Sequence, residues 1–108
     1  TDDMIVVRGI NVFPSQIEHV LLGIEGTQPH YQIVIDRAAH KLDQVEIMVE
    51  VDEKIFSDEI KQMSALSAKI KKEIEAVLSI GVKVHLVEPK TIERSMGKSK
   101  RVVDKRSL

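Results

Sequence analysis

The side chains best suited to chemistry gather near the C-terminus, in Thr91-Ile92-Glu93-Arg94-Ser95-Met96-Gly97-Lys98-Ser99-Lys100-Arg101. Lys98 carries a compact ammonium on a flexible stem, suited to a phosphate or a developing oxyanion. Gly97, just before it, lets the backbone approach a ligand closely or take a positive φ. Gly97-Lys98-Ser99 invites comparison with a phosphate-binding P-loop. That motif needs a second glycine five residues before Gly97, where Ile92 stands, and a strand-loop-helix setting that the pattern here does not suggest. On residue types alone, a solvated basic tail is the simpler reading of such a charge run.

No other constellation competes. His19, His30, His40 and His85 lack metal-ligand spacing and read as surface or packing residues. Asp2 and Asp3 are adjacent, so in a strand they point to opposite faces and do not form a carboxylate pair. No Ser/His/Asp set can be singled out. The sequence has no cysteine, which excludes disulfides, thiolate metal sites and thiol nucleophiles. No metal site is therefore expected.

Bulk properties set the frame for these residues. The 108 residues are 43% hydrophobic and 31% charged, an ordinary mixture for one domain with a modest core. No apolar run is long enough to span a bilayer and no signal-peptide pattern is present, so a cytoplasmic location without a membrane partner is expected. The chain opens on Thr-Asp-Asp, which suggests a piece of a longer protein. The net charge of −1 is unevenly spread. Residues 90–108 carry seven Lys/Arg against two Asp/Glu, whereas residues 1–89 carry nine against fifteen. The positive end suits an anionic partner such as a nucleotide. Nucleic acid is not expected, because Phe13, Tyr31 and Phe56 are too few aromatics for a stacking platform.

The elements that must position Lys98 follow from periodicity. Met4–Val7 and Ile10–Phe13 flank an Arg8-Gly9 turn signal and predict a small hairpin or bent strand. Pro14 follows, and Ser15-Gln16-Ile17-Glu18 has capping-box spacing. Ile17, Val20, Leu21 and Ile24 form one helical face that Gly23 or Gly26 ends. Residues 30–37 alternate, with Tyr31, Ile33 and Ile35 on one side. Residues 44–52 alternate too, with Val45, Ile47, Val49 and Val51 inward and Glu46, Met48, Glu50 and Asp52 outward. Residues 38–43 connect these strands. Ser57 can cap a second helix, with Asp58 and Glu59 in its first turn. Its stripe is Ile60, Met63, Ser67, Ile70, Ile74 and Val77, widened by Leu66 and Leu78, and Gly81 stops it. Residues 82–87 read as a third long strand ended by Pro89, and Val102-Val103 as a last short one. The expected fold class is α+β: a small β-α-β-β-α-β, ferredoxin-like unit. Two helices would cover one face of an antiparallel sheet, preceded by a short hairpin and followed by a basic loop.

With the chain laid out, a resemblance emerges. Residues 1–18, TDDMIVVRGINVFPSQIE, resemble the motif that opens the C-terminal domain of adenylate-forming acyl-coenzyme A ligases. The Asn11-Val12-Phe13-Pro14-Ser15-Gln16-Ile17-Glu18 variant resembles the phenylacetate–coenzyme A ligase branch. So do Pro29-His30-Tyr31-Gln32-Ile33 and the close, Arg94-Ser95 with Gly97-Lys98 and Lys100-Arg101-Val102. These blocks run through the whole chain in the family's order.

The resemblance implies a lid that rotates between two half-reactions. The first makes an acyl-adenylate from a carboxylate and ATP with release of diphosphate; the second passes the acyl group to coenzyme A. It places the hinge at Asp2, the turn for thioester formation at Arg8 and Gly9, and the adenylation lysine at Lys98, with Gly97 as its loop glycine. Residues 1–13 would then be hinge and hairpin, and residues 14–108 the lid. ATP and coenzyme A would be substrates, Mg2+ would accompany ATP on ligands outside this chain, and the partner would be the enzyme's own N-terminal domain. The acid would be an aryl acid, phenylacetate first. The piece by itself is expected to be inactive. The alternative from layout alone is a free-standing ferredoxin-like regulatory domain that binds a small ligand between subunits.

Overall fold

The structure, a computed structural model, describes residues 4–38, 41–56, 60–92, 94–95, 98–99 and 101–106, with 94–95 and 98–99 described in their backbone course alone. Asp2, Gly97 and Lys100 lie outside the described residues, as does the cap expected at Ser57, Asp58 and Glu59.

The chain begins with a hairpin. β1 (Ile5–Val7) and β2 (Ile10–Val12) pair antiparallel with Val7 opposite Ile10. Only Arg8 and Gly9 lie between, at φ +51° and +76°. Positive φ at both central positions makes a type I′ turn, whose twist matches the strands it joins. The expected hairpin is therefore present. Its inward residues Val7 and Val12 are fully buried in the same apolar core as the helices.

α1 (Pro14–Leu22) starts two residues earlier than the capping-box reading placed it. Phe13 is the N-cap and Pro14 takes the first helical position, where its missing N–H costs nothing. The Gln16 side chain accepts from the Phe13 N–H at 2.9 Å, the service expected from Glu18 toward Ser15. Ile17, Val20, Leu21 and Ile24 are all buried, as their spacing predicts.

Four strands form the main sheet in the order β5-β4-β3-β8. β3 (Thr27–Arg37) and β4 (Asp43–Val51) are an antiparallel pair, with Ile33 opposite Ile47 and Ile35 opposite Val45. After β4 come a single helical turn, α2 (Glu53–Phe56), and the long α3 (Ile60–Leu78). The chain then returns as β5 (Lys83–Val87), parallel to β4. β8 (Val102–Asp104) runs parallel to β3 on its other side. The α+β reading holds and both main helices pack on one core, but the sheet is mixed rather than wholly antiparallel. The reason is connectivity. A strand that reaches its neighbour through a helix has crossed back over the sheet and must run parallel. The first hairpin stays out of the sheet, and the short strand at Val102-Val103 occupies the edge beside β3.

The core is a layer of Tyr31, Ile33, Ile35, Val45, Ile47 and Val49 facing Ile17, Val20 and Leu21 of α1 and Ile70, Ile74 and Leu78 of α3. The stripe expected on α3 is only partly used. Ile60 is 82% exposed and Val77 47% exposed; Ile60 lines an open cleft with Met63 and Ser67 beside Val84 and Leu86 of β5, and Val77 lies off the line of Ile70, Ile74 and Leu78 that is buried. The helix ends at Leu78, with Ser79 at φ +67°, two residues before the expected stop at Gly81.

Candidate functional site

Lys98 opens β7 (Lys98–Ser99), which pairs antiparallel with β6 (Arg94–Ser95) in a two-strand ribbon. Ser95 stands opposite Lys98. Residues this short in strand could not hold a fixed course alone, since an isolated two-strand ribbon is marginal in water. Both ends of the ribbon are tied to the sheet.

On the C-terminal side the tie is Arg101. Its carbonyl accepts from the Ile33 N–H at 2.7 Å, which leads the chain into β8. Its guanidinium lies 4.5 Å from the centre of the Tyr31 ring, donates to the Pro29 carbonyl at 3.3 Å and sits 3.5 Å from Glu18 Oε1. A cation over an aromatic face and a carboxylate together fix an otherwise mobile side chain. The Tyr31 hydroxyl reaches the Pro14 carbonyl and Glu18 Oε1 at 3.4 and 3.5 Å. Burial raises the tyrosine's pKa, with Arg101 opposing the shift.

On the N-terminal side the tie is Glu50, which the alternation of β4 placed on the solvent face. It is fully buried. Its two oxygens accept from the N–H groups of Lys90 and Ile92, at 2.8 and 2.9 Å. The turn between Glu88 and Thr91 brings those donors inward, with Lys90 at φ +67° and the Thr91 hydroxyl donating to the Glu88 carbonyl at 2.6 Å. Covered by this turn, the second face of β4 is no longer solvent-facing at that end, and alternation alone could not reveal it.

Arg8 and Gly9 lie elsewhere. A cleft of about 310 Å³ runs beside their turn, with Arg8, Gly9, Arg37, Lys41 and Arg106 among its lining residues. Asp43 organises it. Its carboxylate takes the Arg37 Nε at 2.5 Å and an Arg106 Nη at 2.8 Å, while its backbone carbonyl takes the Arg8 Nε at 2.8 Å. Hydrogen bonding from Arg37 above all, then from Arg106, holds the Asp43 carboxyl down at about 2. Arg106 also donates to the Val6 carbonyl at 2.6 Å and pairs with Asp104, so the hairpin and the last strand are locked together. One aspartate thus gathers three arginines, two on its carboxylate and one on its backbone carbonyl, and the lining keeps an excess of positive charge. A side chain grown on Gly9 would meet nothing within 4 Å. The glycine serves the backbone conformation and leaves the turn bare.

The two candidate elements occupy opposite ends of one strand. The turn of Arg8 and Gly9 adjoins Arg37 and Asp43, at the end of β3 and the start of β4. β8 runs parallel to β3 and begins opposite Ile33, and the Arg101 side chain just before it reaches Pro29. The Lys98 ribbon therefore leads in from the other end of β3. Eight residues of extended chain separate Pro29 from Arg37, on the order of 25 Å. Periodicity carries no sign of this opposition, because it depends on β8 lying parallel to β3. Among the described residues no three His, Asp or Glu side chains converge as a metal site, and no helix is long and apolar enough to cross a membrane.

The family described as AMP-binding enzyme C-terminal domain matches residues 9–106. Phenylacetate-coenzyme A ligase of Thermus thermophilus is 41% identical over 119 aligned positions, which cover 98% of this chain and 26% of that protein. The Escherichia coli phenylacetate-coenzyme A ligase is 35% identical over 108 positions, 100% of this chain and 24% of that protein. This chain therefore spans about a quarter of the length of these relatives. Among solved structures, a domain of phenylacetate-coenzyme A ligase from Bacteroides vulgatus superposes with a TM-score of 0.87 at 30% identity, covering 99% of this chain and 96% of that one. A 2-hydroxyisobutyryl-CoA ligase, in complex with 2-HIB-AMP and CoA in the thioesterification state, superposes at 0.84 with 31% identity, over 95% of this chain and 21% of that one.

Proposed function

From the premise that this chain belongs to the AMP-binding enzyme C-terminal domain family, we propose that it is the lid of an ATP-dependent aryl-acid coenzyme A ligase, with phenylacetate as the acid. In this reading Lys98 serves adenylation and the Arg8-Gly9 turn serves thioester formation. Asp2 is the hinge, and residues 14–108 form the lid body, which carries the hairpin of residues 5–12 packed on its core as it turns. Gly97, next to Lys98 in sequence, is the loop glycine that lets the backbone come close to a ligand. ATP and coenzyme A are substrates shared with an N-terminal domain that also carries the Mg2+ ligands.

One observation carries the proposal: the two elements stand at opposite ends of β3. A rigid body of this shape can present only one of them to a common site at a time. Two half-reactions at one site, each needing a different end, call for the body to turn between them. The local chemistry fits each role. Adenylation builds negative charge at the carboxylate oxygen and α-phosphate, where an ammonium stabilises the transition state. The thioester step brings a coenzyme A chain past the domain. A bare type I′ turn leaves space for it, and the neighbouring arginine cleft offers donors to anionic groups.

The test separates the half-reactions in the full-length ligase. Lys98→Ala should slow acyl-adenylate formation by on the order of 10²–10³-fold, about 3–4 kcal/mol of barrier, as for loss of one oxyanion donor. Transfer from supplied acyl-adenylate to coenzyme A should change little. Lys100→Ala, equally basic and two residues on, is the control. Similar small losses in both variants would reduce the run to a solvated basic tail.

A further inference from the structure

Glu50 is a fully buried carboxylate that belongs to neither the Lys98 ribbon nor the Arg8-Gly9 turn itself, but to β4. Burial of such a group is unfavourable unless its oxygens are hydrogen-bonded. The two N–H groups that meet it belong to Lys90 and Ile92, two residues apart around a backbone bend at positive φ. Backbone donors converging in this way form a concavity for an anion. Here the protein supplies the anion from β4, 42 residues away from Ile92 in sequence. Ile92 is itself only 5% exposed, and β6 starts two residues later at Arg94.

We infer that Glu50 is a positioning residue for the Lys98 ribbon, an inference that rests on Lys98 being the adenylation lysine. The carboxylate fixes where the chain leaves the sheet before β6, as Arg101 on Tyr31 fixes where it returns after β7. The chain is thus held to the sheet at Ile92, before β6, and again at Arg101, after β7, and these two fixed points set where the Lys98 ribbon starts and ends on the domain. Displacing a reacting group by about 1 Å can cost on the order of 10²-fold in rate, so the exit point bears on the chemistry without Glu50 touching the substrate.

The experiment compares Glu50→Gln, Lys98→Ala and the double variant in the full-length ligase. Both half-reactions are measured, along with amide hydrogen exchange at residues 90–92. Glu50→Gln keeps the shape but turns one acceptor into a donor facing an N–H. It should lower kcat for adenylation by on the order of 10- to 100-fold, with KM for ATP nearly unchanged. Thioester formation from supplied acyl-adenylate should be intact, and exchange at Ile92 should speed up while Ile33 stays protected. In the Lys98→Ala background the same change should slow adenylation little further. Glu50→Asp, which keeps the charge but is one methylene shorter, takes the place of Gln if Gln does not fold, with the same pattern expected. Three results would overturn the inference: faster Ile92 exchange with adenylation unchanged, equal losses in both half-reactions, or full additivity with Lys98→Ala. If Lys98→Ala itself leaves adenylation unchanged, the proposed function fails, and the exchange data still report whether Glu50 holds the turn.

Discussion

Gly9→Leu separates what the turn does for the fold from what it does for the reaction. Gly9 sits at φ +76°, and nothing lies within 4 Å of an added Cβ. The substitution therefore meets no clash within this chain and costs only the left-handed backbone term, about 1–2 kcal/mol. For a domain of this size that is a fall of roughly 5–10 °C in Tm, readable by thermal circular dichroism on the chain itself. The functional effect should be out of proportion and one-sided. In the full-length ligase, a leucine side chain would project from the bare turn into the path proposed for coenzyme A. Acyl-adenylate formation, followed by diphosphate release without coenzyme A, should stay within about twofold of the parent. Transfer from supplied acyl-adenylate should fall by at least tenfold, mainly through kcat/KM for coenzyme A. Equal losses in the two half-reactions would show that Gly9 only shapes the fold. A Tm drop well beyond the backbone term would show that the open space beside the turn is occupied by packing after all.

Other outcomes test the fold's own logic. Val12→Ala should cost about 2–3 kcal/mol, since it removes buried methyls and leaves a cavity, and chains lacking residues 1–13 should melt far below the intact chain, because Val7 and Val12 belong to the common core. Gly26→Ala should cost about 2 kcal/mol or more: Gly26 is at φ +96°, and a new Cβ would collide with the Ile55 side chain. Adding Ile55→Val should recover the steric share and leave the backbone share, as read by denaturant melts. The Asp43 carboxyl, held at about 2 against an ordinary 3.8, contributes stability that is full above the ordinary value and lost as pH falls toward 2. Asp43→Asn should therefore lower Tm at pH 7 and flatten its fall between pH 4 and pH 2, whereas an unchanged acid limb would mean the arginine cluster is not held by this charge.

Periodicity determined the strands around Ile33 and Ile47 and the buried face of α1, because each depends on one alternating or helical face, while the Arg8-Gly9 turn signal left a hairpin or a bent strand and the structure has the hairpin. The residue types around Gly97 and Lys98 read by themselves as a basic tail, and it was the family resemblance of the motifs along the chain that suggested which reaction to look for. Tertiary structure decided what depends on elements far apart in the chain. The sheet is mixed because α3 carries β4 to β5 as a parallel crossover, and because β8 takes the edge beside β3. Ile60 and Val77 are exposed although they fall on the apolar stripe, because helical spacing marks a stripe without showing which of its residues the sheet covers. Glu50 looked solvent-facing because alternation describes a strand and cannot see the turn at residues 88–92 that folds over it. Asp43 gives no local sign that it gathers Arg8, Arg37 and Arg106, whose positions span nearly the whole chain. The placement of the Gly9 turn and the Lys98 ribbon at opposite ends of β3 is of the same kind. Local spacing specifies which groups a chain carries, but only the packing of distant segments sets the direction in which each is presented.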